Sequence, residues 1–180
     1  MLKITIPESE VFDERENVFI KIPKTSISLE HSLVSISKWE SKYCKSFFKK
    51  DDKTTEELID YIRCMTINPN IPDDVYYGLT NENIKAIKDY ISSPMTATTI
   101  REVNRGHGSN ETTTSELIYY YMIALGIPFE CQKWHINRLL MLIRVCNAKN
   151  GPQKKMSKAE QMAQYRSINQ ARRAALHTKG

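Results

Sequence analysis

Leu2-Lys-Ile-Thr-Ile-Pro7 and Val18-Phe-Ile-Lys-Ile-Pro23 open the chain, and how they are read decides the fold. Each run alternates apolar with polar side chains, is rich in β-branched residues and stops at a proline, the pattern of a half-buried strand. The polar stretch from Glu8 to Asn17 then predicts the loop of a single β-hairpin. A two-stranded ribbon is marginally stable by itself. Its apolar face, Leu2, Ile4 and Ile6 or their partners, therefore requires a cover from the rest of the chain. Unpaired strand edges recruit other chains, so the hairpin is a candidate edge for self-association, set against plain capping of a helical core.

After Pro23 the apolar spacing becomes helical. Leu29, Leu33, Ile36 and Trp39 or Tyr43 recur every three to four residues behind Ser26 or Ser28 as cap. Thr54 and Glu57 form a Thr-x-x-Glu capping box ahead of Leu58, Ile59, Ile62 and Met65, which predicts a second helix ending before Asn68-Pro69. Pro72-Asp73-Asp74 predicts a short helical turn through Leu79, and Thr80 to Asn83 a helix bearing Ile84, Ile87, Tyr90 and Ile91, stopped by Ser93-Pro94. From Met95 to Thr114 the chain is polar and Gly-rich, without an apolar period, and predicts a mobile loop. Thr114 caps the most apolar helix, Ser115 to Leu125, which Gly126 and Pro128 end. A last long helix is expected from about Phe129 to Ala148, burying Phe129, Trp134 or Ile136, Leu139, Leu140 and Ile143. The expected class is mainly α: a helical bundle with a short N-terminal β-hairpin over residues 1–150, followed by a basic, partly helical C-terminal tail over residues 151–180.

Charge is distributed unevenly. Eight of the 26 basic residues lie from Lys149 to Lys179, against one of the 21 acids, Glu160, so the net +5 divides into −2 before Lys149 and +7 from it onward. A basic tail on a near-neutral body suits a partner-binding arm or a solubilising extension. In the tail, Ser157 as cap and the run of alanines predict a helix with a thin apolar stripe, which firms up on a partner surface. With 180 residues and 41% hydrophobic content, one domain with a real core is expected. No apolar run reaches the roughly 20 residues that span a bilayer, and no signal pattern begins the chain, so a cytoplasmic protein is expected. Cys44, Cys64, Cys131 and Cys146 have no paired spacing, and no disulfide is expected.

Catalytic and metal chemistry find little support in these residues. Cys131 and His135 are four apart and could share one side of a helix as zinc ligands, yet a structural site needs four ligands and the other Cys and His lie at unrelated spacings. Glu130, Cys131 and His135 only loosely imitate a nucleophile with its base. His31 beside Glu30 could act as acid or base, though a polar residue on the exposed flank of the first helix is the simpler reading. Gly106-x-Gly108 lacks the lysine and strand of a phosphate loop. Tyr119-Tyr120-Tyr121 could stack bases, but three consecutive helical residues point in three directions, and core packing is favoured. The tail is the better nucleic-acid candidate, although its only aromatic residue is Tyr165. No enzyme activity, no cofactor and no metal are expected.

Several stretches carry a resemblance: Ile27-Ser-Leu-Glu-His-Ser-Leu-Val-Ser-Ile-Ser-Lys-Trp-Glu40, Asp60-Tyr-Ile-Arg-Cys-Met-Thr66, Pro94-Met-Thr-Ala-Thr-Thr99, Ile127-Pro-Phe-Glu-Cys-Gln-Lys-Trp-His-Ile-Asn-Arg-Leu-Leu140 and Lys154-Lys-Met-Ser-Lys158. Over most of its length the chain resembles a tailed-bacteriophage group encoded among tail genes, which is similar to the tail assembly chaperones. The resemblance implies a protein of the host cytoplasm that keeps the tape-measure protein soluble during tail morphogenesis, with the tail tube protein as second partner and a homo-oligomer as working form. It also implies that Lys154, Lys155, Lys158, Arg166, Arg172 and Arg173 bind the partner. Self-association is implied through Leu33, Ile36 and Trp39, or through the Leu139-Leu140 face. A minor virion protein of tail or neck is the alternative, and a nucleic-acid-binding protein acting through the tail the second. Chaperones of this class are made in two lengths by frameshifting near the C-terminus, and Gln153-Lys154-Lys155 could be encoded by a slippery run.

Overall fold

A computed structural model of the chain describes residues 1–13, 17–49, 53–99, 112–150 and 158–176. It divides into two compact units, Met1–Asn147 and Ala148–Gly180, so the boundary falls within the last turn of a helix. Among the described residues there are four strands: β1 (Leu2–Ile6), β2 (Ser9–Asp13), β3 (Val18–Ile22) and β4 (Thr25–Leu29). β1 pairs with β4 and β2 with β3, both antiparallel, in two separate two-stranded sheets. This corrects the mainly α reading with one hairpin: the body is a mixed α and β fold.

The two sheets follow from one register. Leu2 faces Leu29 and Ile6 faces Thr25, while Ser9 faces Ile22 and Asp13 faces Val18, so one register runs through both pairs. Pro7 and Pro23 stand at the level where the ladder breaks, and neither has an N–H to donate. The expected partner of Leu2–Ile6 was Val18–Ile22, but the stretch read as a loop supplies β2 instead. Ser26 and Ser28, expected as helix caps, lie in β4. Leu29 fits both the helical spacing with Leu33 and the alternation Ile27-Ser28-Leu29, and the second pattern prevails.

The ribbon buries Ile4, Ile6, Ile22, Ile27 and Leu29. Its β4 edge is partly covered, because Glu30 N–H donates to Met65 O at 2.9 Å and Ile67 N–H to Ser28 O at 2.9 Å. Against the ribbon packs a 3-10 turn, Asp73–Gly78, whose last residue must be small. A Cβ on Gly78 would lie 3.0 Å from Ile6 Cγ2 and 3.1 Å from Ile22 Cγ2.

The helices are α1 (Leu33–Tyr43), α2 (Thr55–Met65), α3 (Asn81–Ser92), α4 (Ser115–Ala124), α5 (Ile136–Asn150) and α6 (Lys158–Leu176). Ser32 caps α1 by accepting from Ser35 N. The Thr54–Glu57 capping box forms as expected, with Glu57 N–H to Thr54 Oγ1 at 3.2 Å and Thr54 N–H to Glu57 Oε2 at 3.0 Å. Thr80 and Asn83 form a second one on α3. Gly126, at φ 64°, follows α4 in the left-handed region that favours glycine, as its position predicts. The expected helix from Phe129 is divided: a 3-10 turn, Phe129–Lys133, is separated from α5 by extended backbone at Trp134. Phe129 is half exposed rather than buried. Most of the loop expected over Met95–Thr114 falls at residues 100–111, outside the described residues. So do Ser157 and the Gln153-Lys154-Lys155 run.

Trp39 lies at the centre of the core, packed against Tyr43 and Phe47 at 4.9 and 5.4 Å between ring centres, its indole N–H donating to Glu57 O at 2.9 Å. Glu40, on the next position of α1, is a buried carboxylate that accepts from Phe47 N at 2.7 Å and from Ser115 N at 2.7 Å. The second of these amides opens α4, where an anion is favoured by the helix dipole and an otherwise orphan donor is satisfied. One acid thus ties the end of α1 to the start of α4.

Candidate functional site

Two places gather the polar and charged side chains that the sequence singles out: a buried network in the body, and the surface of α6. In the network, His31 follows β4 and precedes α1, while His135 precedes α5. The two chain segments are joined by Ile136 N–H donating to His31 O at 2.7 Å. The rings meet edge to face with centres 5.0 Å apart. His31 Nδ1 shares a hydrogen bond with the Tyr61 hydroxyl. His135 Nε2 donates to Tyr90 O at 3.0 Å, and its Nδ1 accepts from Asn137 N at 3.3 Å, an arrangement that suits the neutral imidazole. Tyr90 in turn donates its hydroxyl to Glu30 Oε1 at 2.6 Å, and the other oxygen of Glu30 pairs with the Met1 amino group at 2.9 Å.

Burial sets the protonation here. His31 is lowered to about 3, first by desolvation and then by the neighbouring His135, and His135 is lowered chiefly by desolvation. Burial raises the Tyr61 hydroxyl well above its ordinary value, and burial together with the Glu30 hydrogen bond raises Tyr90. His31 is only 3% exposed, which corrects its expected place on the open flank of the first helix. The network fixes how β4, α2, α3 and α5 meet, and a substrate would have to displace packed aromatic rings to reach it.

Cys131 and His135 do not share a helix face. Cys131 lies in the 3-10 turn and His135 beyond the extended residue that follows. Both ring nitrogens of His135 are engaged elsewhere, so neither is placed to take a proton from the Cys131 thiol. Among the described residues, no group of three or more His, Cys, Asp or Glu could hold a metal ion, and the four cysteines are free thiols. On α2, Asp60 receives Lys42, Tyr43 and Arg63. Burial would raise this carboxyl, but the three donors outweigh it and hold it at about 2. Tyr43 is pushed up to about 12, first by that same hydrogen bond.

Leu33, Ile36 and Trp39, expected to associate copies of the chain, are corrected to core residues, none more than 1% exposed. Leu139 of the alternative face is also buried. Leu33 and Ile36 each follow the helical stripe, and that stripe is spent inside the body. The tyrosine run divides as its spacing predicts: Tyr119 is half-buried with its hydroxyl on Gln132 Oε1 at 2.9 Å, whereas Tyr120 is exposed. A groove of about 320 Å³ lined by Leu58, Ile62, Tyr76 and Ile87 lies between α2, the Asp73–Gly78 turn and α3.

Of the expected partner-binding residues, Arg166, Arg172 and Arg173 lie on α6 with exposed side chains. Lys154 and Lys155 fall outside the described residues, and Lys158 is the first residue of the helix. Sequence reasoning placed Met162, Ile168 and Leu176 in a thin apolar stripe on this helix, without Tyr165. Met162, Tyr165, Ile168 and Leu176 are 60, 65, 40 and 71% exposed. Comparison with protein-family models, with curated proteins and with solved structures finds no match. Among the described residues no helix is long and apolar enough to cross a membrane.

Proposed function

We propose that this protein is a non-enzymatic binding protein of the tail assembly chaperone kind, which keeps a long helical tape-measure protein soluble in the host cytoplasm while a phage tail is built. The observation that supports this reading is α6: 19 residues of helix whose described side chains are all exposed, large apolar ones included. Most helices in proteins gain their stability from a packed amphipathic face rather than from propensity. A surface that leaves such a helix uncovered is suited to capture a polypeptide that also has an uncovered apolar stripe. The body contributes a rigid platform, and several copies acting on one long partner multiply weak contacts into firm retention.

Co-expression with the tape-measure protein of the same tail gene cluster tests the reading. The full chain is expected to move that protein from the pellet to the soluble fraction, and to be missing from purified virions by mass spectrometry. An unchanged pellet, or stoichiometric recovery in virions, overturns it.

A further inference from the structure

The apolar and the cationic residues of α6 share one side of the helix. At about 100° per residue, Ile168, Arg172, Tyr165, Leu176, Asn169, Met162, Arg173 and Arg166 fall, in that order, within an arc of roughly 160°. The remaining described side chains, Ala163, Ser167, Gln170, Ala171, Ala174 and Ala175, occupy the rest of the circumference. The four large apolar side chains thus form a stripe, with Arg172 set inside it and Arg166 and Arg173 along one border. Among the described side chains of α6 there is no acid to neutralise the three guanidinium groups.

We infer that this face docks an acidic amphipathic helix of a partner polypeptide, its apolar stripe on Met162, Tyr165, Ile168 and Leu176 and its carboxylates on Arg166, Arg172 and Arg173. The inference rests on the reading of the protein as a polypeptide-binding chaperone and names the chemistry of what it binds. Charge complementarity selects the occupant. A basic or neutral helix would leave three cations facing their own kind or nothing, whereas carboxylates meet guanidinium groups in paired, charge-assisted hydrogen bonds. The apolar stripe separates this occupant from nucleic acid. A phosphate backbone is served by cations alone, and a binder of single strands stacks bases on several aromatic rings, of which this face has one.

The test uses the full chain and four probes: a 21-residue peptide with an i, i+3, i+4 leucine stripe and a glutamate face, the same peptide with lysine in place of glutamate, a single-stranded oligonucleotide of about 20 bases, and vesicles of phosphatidylserine and phosphatidylcholine. The acidic peptide is expected to bind and to raise the helical circular dichroism, while the lysine peptide does not bind. The variant R166E/R172E/R173E and the variant M162S/Y165S/I168S/L176S should each weaken that binding by at least about tenfold. The opposite-face variant S167K/A171K should leave it intact, which separates loss of the face from loss of the helix. Binding to the oligonucleotide or the vesicles that exceeds binding to the acidic peptide overturns the inference, as does a peptide affinity indifferent to the serine variant. If the tape-measure protein is still solubilised by both face variants, this surface assignment fails and the chaperone reading stands. If the peptide binds as expected but no solubilisation occurs, the chaperone reading fails and the surface stands.

Discussion

The body and α6 handle their apolar residues in opposite ways. Trp39 is 1% exposed, wrapped by Tyr43 and Phe47, with its only polar atom satisfied by Glu57 O. Tyr165, on a helix nearly twice as long as α1, is 65% exposed. Both residues stand on sequences with a helical period, so periodicity alone does not tell a stripe that builds a core from one that awaits a partner. What tells them apart is the company each keeps. The stripe of α1 has strands before it and helices after it that supply complementary apolar faces, whereas the stripe of α6 runs beside three arginines.

Substitutions sharpen this contrast, beginning with the largest. Trp39→Ala removes a buried indole and is expected to cost about 3–5 kcal/mol of stability, measured by urea denaturation; a loss below about 1 kcal/mol would place Trp39 outside the core. Glu40→Ala strands the amides of Phe47 and Ser115, and a loss of about 2–4 kcal/mol is expected, with Glu40→Gln less severe because one oxygen can still accept. An equal loss for both substitutions would show that charge rather than amide satisfaction matters there.

Acid should weaken the body through His31. Its value in the fold, about 3, lies below the ordinary 6.5, so between these limits the unfolded chain takes up a proton that the fold refuses. Stability is therefore full above pH 6.5 and falls as the pH drops through that window, by up to about 1.4 kcal/mol per pH unit. His31→Gln should flatten the profile over the same range, and an unaltered profile would assign the acid sensitivity to other groups. At the small end, Tyr165→Ala should change the melting of the body by no more than about 0.5 kcal/mol, as for a surface site. A larger loss would show that α6 stabilises the body.

Where a cap or a breaker acts locally, the sequence was enough. Thr54 with Glu57, Thr80, Thr114, Gly126 and Ser93-Pro94 mark helix ends that the structure keeps, because each acts through hydrogen bonds or backbone angles within a few residues. The strands were only half legible. Ser9–Asp13 has one clear apolar pair, Val11 and Phe12, flanked by acids, and Thr25–Leu29 overlaps a helical spacing; pairing with strands elsewhere in the chain, Val18–Ile22 for the first and Leu2–Ile6 for the second, is what makes them strands. His31 and His135 were visible as residues but not as neighbours, since their contact depends on how β4 and α5 meet. Phe129 and Trp134 fit a helix period that Pro128 and the extended backbone at Trp134 interrupt. On α6 the arginines were legible from charge, and the apolar side of the same face was read only as a thin stripe.

The break in the N-terminal ribbon has one more result. Sliding one arm of a two-stranded ribbon by two residues normally keeps its inward side chains inward, which makes that error easy for a growing hairpin. Here such a slide would carry Pro23 out of the gap between the two ladders and opposite Ile6 or Glu10. It has the parity of Thr25, Ile27 and Leu29, which face the partner strand while Ser28 turns away to Asn68 and Ile67, so a donor would be needed where none exists. Pro23 thus acts as a key for alignment: the native pairing leaves it in the gap, where no rung asks it for a donor.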